Sequence, residues 1–390
     1  MTEDIKKKIY FDNASTTQVR KEVVDKMMPY FEQFYGNPSG LNKYSKESKK
    51  AVEKSREILA NIIGAQPGEI IFTSGGTESN NLAIQGFVRN RDNKTDHIIT
   101  STIEHDSVLK PCLQLEKEGW DLHLLKVDKE GFILLDEFDI LLKPETVFVS
   151  VMHANNEIGT IQEIKNISSI LKDKNIIFHT DAVQTFGKLP FNINDLNIDM
   201  ASLSSHKIYG PKGIGALYVR KGISLRPLLF GGGQEWNLRS GTLSVPLIVG
   251  FAEAARLAID EMNTVIPETV KLQKYLIDSL VKIKHVKLNG AKNIEKRLPG
   301  NINISIDGLE GESLMLHLNL KDIAVSTGSS CSSGKLGMSK VLKAIGEDSY
   351  KNFTSIRISL GKDNTIEDCN KFINSFKNIL NELKINQSSY

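Results

Sequence analysis

The chain has 390 residues, 40% of them apolar and 25% charged, and its 49 basic and 47 acidic side chains leave a formal net charge of +2. That balance excludes a disordered chain and offers no basic face for nucleic acid, while the length favours two or three domains over one small module. Apolar runs fall short of the ~18 residues of a membrane span, and Met1–Lys8 carries no signal-peptide core.

Three cysteines, Cys112, Cys331 and Cys369, are odd in number and without a C-x-x-C pair, which fits neither a disulfide framework nor a zinc knuckle. A reducing, cytoplasmic setting is expected. In chain order, the first punctuated element is a helix over 43–63, which follows Asn37-Pro38-Ser39-Gly40 and stops at Gly64. Strands are then expected at 70–73, 98–101, 122–127, 147–151, 176–180, 200–204 and 216–219, alternating with helical periodicity. Alternation of this kind predicts an α/β domain with a seven-stranded, mainly parallel sheet. A helical stretch over 245–283, broken at Pro267, separates it from a smaller α+β block. That block has strands at 286–288, 302–306 and 356–360 and helices near 312–318, 339–345 and 365–383. Between them, Ser326–Gly334 is almost wholly small and polar and reads as a loop.

Five places could carry chemistry. Ile70–Asn81 runs from a strand through Gly75-Gly76 into a helix whose free N–H groups, with the Thr77 hydroxyl, could bind a phosphate; it also reads as an ordinary strand-to-helix turn. Asp181 ends an apolar strand where open α/β sheets place ligands. It could meet a cationic ring N–H, cap a helix, or form half of a His179-x-Asp181 metal pair for which no third ligand is evident. Lys207 follows a strand ending in hydroxyls, where partial desolvation would lower an amine's pKa as a Schiff-base lysine requires, although most lysines are solvated surface groups. His105 lies just past a strand, either over a planar cofactor or exposed at a helix start capped by Asp106. Cys331, among Ser and Gly, is either an accessible thiolate or a small linker residue, whereas Cys112 and Cys369 sit on helical patterns and are expected to pack as small hydrophobes.

With these segments in order, residues 10–361 resemble the pyridoxal-phosphate cysteine desulfurases of the NifS/IscS type, within the class V aminotransferase-like group. The resemblance rests on YFDNASTT, GGTESNN, EHDSV, MHANNEIG, HTDAVQ, SHKIYGPKGIGALYV, GGGQEWNLRSGT and the Cys331 loop together. It implies fold type I of the pyridoxal-phosphate transferases. An arm of residues 1–15 would pack on the small domain, a cofactor domain would span 16–262, and a small domain over 263–390 would carry the loop at about 326–338.

The same resemblance implies the roles of individual residues. Lys207 would hold the cofactor covalently, Asp181 would pair with its ring nitrogen and Gln184 with its phenolic oxygen, while His105 would stack on the ring. Gly76, Thr77, Ser204 and His206 would hold the phosphate, and Thr242 would reach the phosphate of a second subunit, making a homodimer. Asn156 would sit near cofactor and substrate, Arg357 would clamp the substrate carboxylate, and Cys331 would take sulfur from L-cysteine as a persulfide. The product would be L-alanine, and the sulfur would pass to an acceptor protein, either an iron-sulfur scaffold or a thiolation enzyme. No metal, direct nucleic-acid contact or membrane contact is implied. Gly337-Met338-Ser339 stands where Glu-Pro-Ser is frequent in the family, a change expected to bear on acceptor docking. Alternatives are a selenocysteine lyase, a class V aminotransferase, or a non-catalytic protein that docks sulfur-transfer partners.

Overall fold

The computed structural model of the chain describes residues 8–306, 309, 311–327, 339–346 and 355–387. In chain order the strands are β1 (Ile9–Tyr10), β2 (Ile70–Thr73), β3 (His97–Ser101), β4 (Asp121–Leu125), β5 (Thr146–Ser150), β6 (Ile177–Asp181), β7 (Met200–Ser204), β8 (Gly215–Val219), β9 (Val286–Asn289), β10 (Asn301–Ile306), β11 (Ile323–Ala324) and β12 (Ser355–Ser359). The α-helices are α1 (Lys21–Met27), α2 (Pro29–Glu32), α3 (Lys43–Ile63), α4 (Gly76–Arg91), α5 (Asp106–Lys117), α6 (Leu135–Leu141), α7 (Ile164–Leu171), α8 (Val245–Asp260), α9 (Met262–Leu280), α10 (Gly311–Asn319), α11 (Lys340–Ala344) and α12 (Ile366–Gln387).

The seven expected strands, β2 to β8, form one sheet in the order β2-β8-β7-β6-β5-β3-β4. Only β8 runs antiparallel to its two neighbours, so the sheet is mixed and mostly parallel. Both faces are covered, which is why β2, β3, β5, β7 and β8 are buried along their whole length. Alternate residues serve the two faces. Phe72, Ile99, Val149, Phe178 and Ala201 pack towards one core. Their neighbours Ile71, Ile98, Phe148 and Met200 pack towards the other, beneath α4 and α5.

Helix α3 begins at Asn42, whose Oδ1 accepts from the Ser45 N–H at 3.0 Å, and ends at Gly64 with φ 78°. That left-handed cap suits glycine because it has no Cβ to clash. Its stripe of Val52, Leu59 and Ile63 seats it in the large core.

The stretch expected to break at Pro267 breaks at Glu261 instead, between α8 and α9, and Pro267 lies inside α9. Glu261 is fixed by a bidentate pair with Arg20, at 2.7 and 2.8 Å. The two helices then serve different cores: α8 buries Ile248 and Phe251 in the large one, while α9 buries Leu276 and Leu280 in the small one. Tertiary packing thus outweighs the one backbone bond that proline forfeits.

The second block is a three-stranded antiparallel sheet, β12-β10-β9, packed with α9, α10 and α12 around Ile304, Ile358, Phe372 and Phe376. The amino-terminal segment joins it: β1 pairs in parallel with β11, and Phe11 meets the Phe372 ring edge-on at 5.7 Å. Among the described residues no helix is long and apolar enough to cross a membrane.

Candidate active site

A cavity of about 350 Å³ opens beyond the carboxyl ends of the parallel strands. Gly76 and Thr77 enter it after β2, His105 after β3, Asn156 after β5, Asp181 and Gln184 at and after β6, and Ser204, His206 and Lys207 at and after β7. Arg357 reaches in from β12 of the small sheet, and Ala14 and Ser15 close it from the amino-terminal segment. Ten site residues expected from the sequence therefore share one cavity. Thr242 is not among its lining and is exposed. Cys331 lies outside the described residues.

Asp181 is 6% exposed, with both carboxylate oxygens engaged. Oδ1 accepts from the Val183 N–H at 2.9 Å within a turn, with no helix directly after β6 for it to cap, and Oδ2 accepts from Asn80 Nδ2 at 2.7 Å. Asn80 also donates to Ser107 Oγ at 2.7 Å. The Ser107 N–H donates to His105 Nδ1 at 3.1 Å, and its hydroxyl lies 2.7 Å from the same nitrogen. Nδ1 is thus an acceptor, which places the proton of neutral His105 on Nε2. A hydrogen-bonded line joins the carboxylate to the imidazole through Asn80 and Ser107, two residues the sequence reading passed over although both stand in quoted motifs.

Two alternatives fall at this point. His105, not Asp106, caps α5, and it is half-buried at the cavity wall. The metal pair fails because His179 Nδ1 and Nε2 bond the hydroxyls of Ser150 at 2.8 Å and Ser202 at 3.0 Å, leaving no nitrogen for a metal.

At the opposite end, no side chain among the described residues caps the first turn of α4, so its N–H groups face the cavity with Thr77. A Cβ on Gly76 would stand 2.6 Å from the Val183 side chain, so the turn must remain bare there. Glu78, in the same turn, is drawn to Arg239 at 2.8 and 3.2 Å. That pair ties the segment bearing Thr242 to the helix start. The segment is fixed again at Glu235, whose buried carboxylate pairs with Arg56 at 2.7 and 2.8 Å and accepts from the Phe72 N–H. Glu235, Trp236 and Asn237 all have positive φ. Such a run persists only where its surroundings over-determine it, and stripping either charge from the Arg56–Glu235 pair would cost about 3–5 kcal/mol.

Lys207 follows β7 in a single turn of 3₁₀ helix, and its Nζ donates to the carbonyls of Ala14 at 2.6 Å and Ser15 at 2.7 Å. Gln184 Nε2 donates to the same Ala14 carbonyl at 3.0 Å, while its buried Oε1 has no partner among the described residues. Burial, then the charge of Lys207, pulls His206 down to about 4, so this imidazole is neutral and bonded to Thr16 Oγ1 at 3.1 Å.

Two acids behind the cavity went unnoticed in the sequence. Ser339, just past the Cys331 segment, donates to Glu157 Oε2 at 2.6 Å, and burial pushes Glu157 up to about 7. Glu104 accepts from Ser101 Oγ at 2.6 Å and the Met152 N–H at 2.9 Å, and burial, with Asp181 adding repulsion, pushes it up to about 8. Between its ordinary value of 4.5 and about 8, Glu104 keeps a proton when folded and loses it when unfolded. Its contribution to stability is therefore present below pH 4.5 and is lost as pH rises through 8. Glu104→Gln is expected to flatten the fall in stability between pH 6 and 8 by up to ~1.4 kcal/mol per pH unit, as read by urea unfolding. An unchanged slope would mean that Glu104 is already ionised in the folded protein.

Cys112 and Cys369 are both buried, as expected, and burial pushes the Cys369 thiol up to about 12 and Cys112 higher still. Neither can supply a thiolate at neutral pH.

Residues 9–372 match the family model for aminotransferase class-V. The cysteine desulfurase IscS of Dictyoglomus turgidum is 47% identical over 381 residues, covering 97% of this chain and 96% of its own. Among solved structures, a NifS-like protein superposes with a TM-score of 0.90 at 37% identity, over 96% of this chain and 100% of its own. A structure described as SspA in complex with cysteine gives a TM-score of 0.80 at 36% identity, over 92% and 100%.

Proposed function

The chain belongs to the aminotransferase class-V family, and from that membership we infer that it is a pyridoxal-phosphate-dependent cysteine desulfurase. The observation that carries this reading furthest is the single cavity holding Lys207, Asp181 and Arg357 between an uncapped helix start and a neutral imidazole. The residues suit the cofactor. The bare first turn of α4 and Thr77 suit a phosphate, the Asp181 carboxylate suits a ring N–H, and His105 forms the wall beside it.

When bound, the cofactor supplies an electron sink for the Cα carbanion. The chain's own groups do the rest. Lys207 Nζ would hold the cofactor and, once free, would carry the Cα proton. Asp181, held by Asn80 and Val183, would keep the ring nitrogen protonated. Arg357 orients the substrate through its carboxylate. The Cys331 thiolate attacks the substrate sulfur, the Cβ–S bond breaks with its electron pair staying on carbon, and protonation yields alanine. The balance is L-cysteine plus enzyme thiol giving L-alanine plus enzyme persulfide. Ser326, hydrogen-bonded to the Arg357 backbone at 2.6 and 3.1 Å, stands five residues before Cys331, a chain reach of about 17 Å.

An acceptor protein then takes the terminal sulfur, for iron-sulfur assembly or thiolation, in the cytoplasm. The working form is a homodimer in which Thr242 meets the other subunit's phosphate, consistent with its exposure. The division into an arm of 1–15, a large domain of 16–262 and a small domain of 263–390 belongs to the same proposal. The test mixes protein with pyridoxal phosphate, L-cysteine and a reductant. Alanine and sulfide should appear in equal amounts, and a need for a keto-acid co-substrate would point to a transaminase.

A further inference from the structure

The substrate-clamping arginine is already occupied on the nitrogen that a carboxylate needs. Arg357 is 2% exposed. Its Nη2 donates to Asp12 Oδ1 at 2.8 Å and to Ser15 Oγ at 2.6 Å, and its Nη1 donates to the Asn156 carbonyl at 3.2 Å. Nε is buried with no partner among the described residues. A guanidinium grips a carboxylate with two N–H groups along one edge. The edges open to a ligand are Nε–Nη2 and Nη1–Nη2, since the third is blocked by the side chain's own Cδ. Both include Nη2, and both hydrogens of Nη2 are spent. A bidentate grip therefore requires one partner to leave.

The charged bond to Asp12 is the stronger of the two. The Ser15 hydroxyl is neutral and keeps a second anchor when it lets go, since it also donates to Asp12 Oδ1 at 2.8 Å. Its own backbone carbonyl is one of the two that hold Lys207 Nζ. We propose that Ser15 is the exchangeable partner of Arg357: the substrate carboxylate displaces its hydroxyl from Nη2, and the exchange acts on the same residue that restrains the catalytic amine. Ser15 is thus a positioning residue that sets how tightly the carboxylate is held and signals its arrival to Lys207. This rests on the reading of Arg357 as the carboxylate site.

The test titrates holoenzyme with L-alanine, the product, following the visible absorbance of the bound cofactor, and repeats the titration with cysteamine, which has the amine and thiol but no carboxylate. A hydrogen bond from the charged guanidinium to a neutral hydroxyl that no longer has to be broken corresponds to about 10- to 100-fold in affinity. Ser15→Ala and Ser15→Gly should each lower the Kd for L-alanine by about that factor and leave the Kd for cysteamine unchanged, and Ser15→Thr should return L-alanine to the wild-type value. L-Alanine affinity that stays the same or weakens in both hydroxyl-free variants overturns the role of Ser15. So does an equal change for cysteamine, because the effect would not run through the carboxylate. A wild-type holoenzyme that does not respond to L-alanine at all overturns the carboxylate site beneath it.

Discussion

Lys207→Ala should abolish the absorbance of lysine-bound cofactor and reduce alanine formation by at least about 1,000-fold, because one amine both attaches the cofactor and carries the Cα proton, and proton transfer alone contributes about 10²–10⁴. Among the described residues there is one serious competitor. Burial, followed by repulsion from Lys207 and Arg357, lowers Lys188 to about 7, which is the property a Schiff-base lysine requires. Position decides between them. Lys207 opens into the cavity shared with Asp181, His105 and Arg357, whereas Lys188 lines only a smaller cleft behind it, among Met262, Val265 and Leu360. Absorbance that survives Lys207→Ala but disappears in Lys188→Ala would reverse the assignment. A Lys207→Ala protein that regains part of its rate with an added small amine would separate loss of the proton carrier from loss of the fold.

The features that were legible in the sequence are those written in consecutive residues. β2 and β7 have the expected bounds because each is a short strand-like run between turn residues, and α3 has them because residues 37–40 and Gly64 punctuate it locally. Asp181 was found the same way, as the polar residue ending an apolar strand, and Lys207 as the amine that follows a strand ending in hydroxyls. Contacts between distant segments leave no such trace. Asn80 meets Asp181 across 101 residues and Arg56 meets Glu235 across 179, and no periodicity in either segment marks its partner. β1 and β11 have two residues each, too few for any period to show. Pro267 misled for the opposite reason: a strong local breaker was overridden by the cores that α8 and α9 serve. The Asp12–Ser15–Arg357 cluster combines both situations. Its members are 345 and 342 residues from the arginine, yet Asp12 and Ser15 sit in a motif whose chemistry becomes visible only once β12 lies beside it.

The loss from Cys331→Ala should be of a different kind. Lys207, Asp181 and Arg357 remain in place, so the cofactor should load normally and its absorbance should still respond to L-cysteine. Alanine and sulfide should both fall by at least about 100-fold, because the nucleophile that relieves the substrate of its sulfur is gone. No other cysteine can replace it: Cys112 and Cys369 are fully buried in the two cores, where loss of solvent keeps both thiols protonated. Cys331→Ser should fail equally, since a serine hydroxyl stays protonated near neutral pH and oxygen attacks divalent sulfur poorly. Product stoichiometry then tells the competing enzymes apart. Alanine formation unchanged in Cys331→Ala would mean that sulfur leaves without visiting the thiol, and a selenocysteine substrate processed at full rate by the same variant would assign the chain to lyase chemistry. Binding without turnover in the variant, together with persulfide detected on Cys331 in the wild type after a single addition of L-cysteine, would leave the thiol as the sulfur carrier.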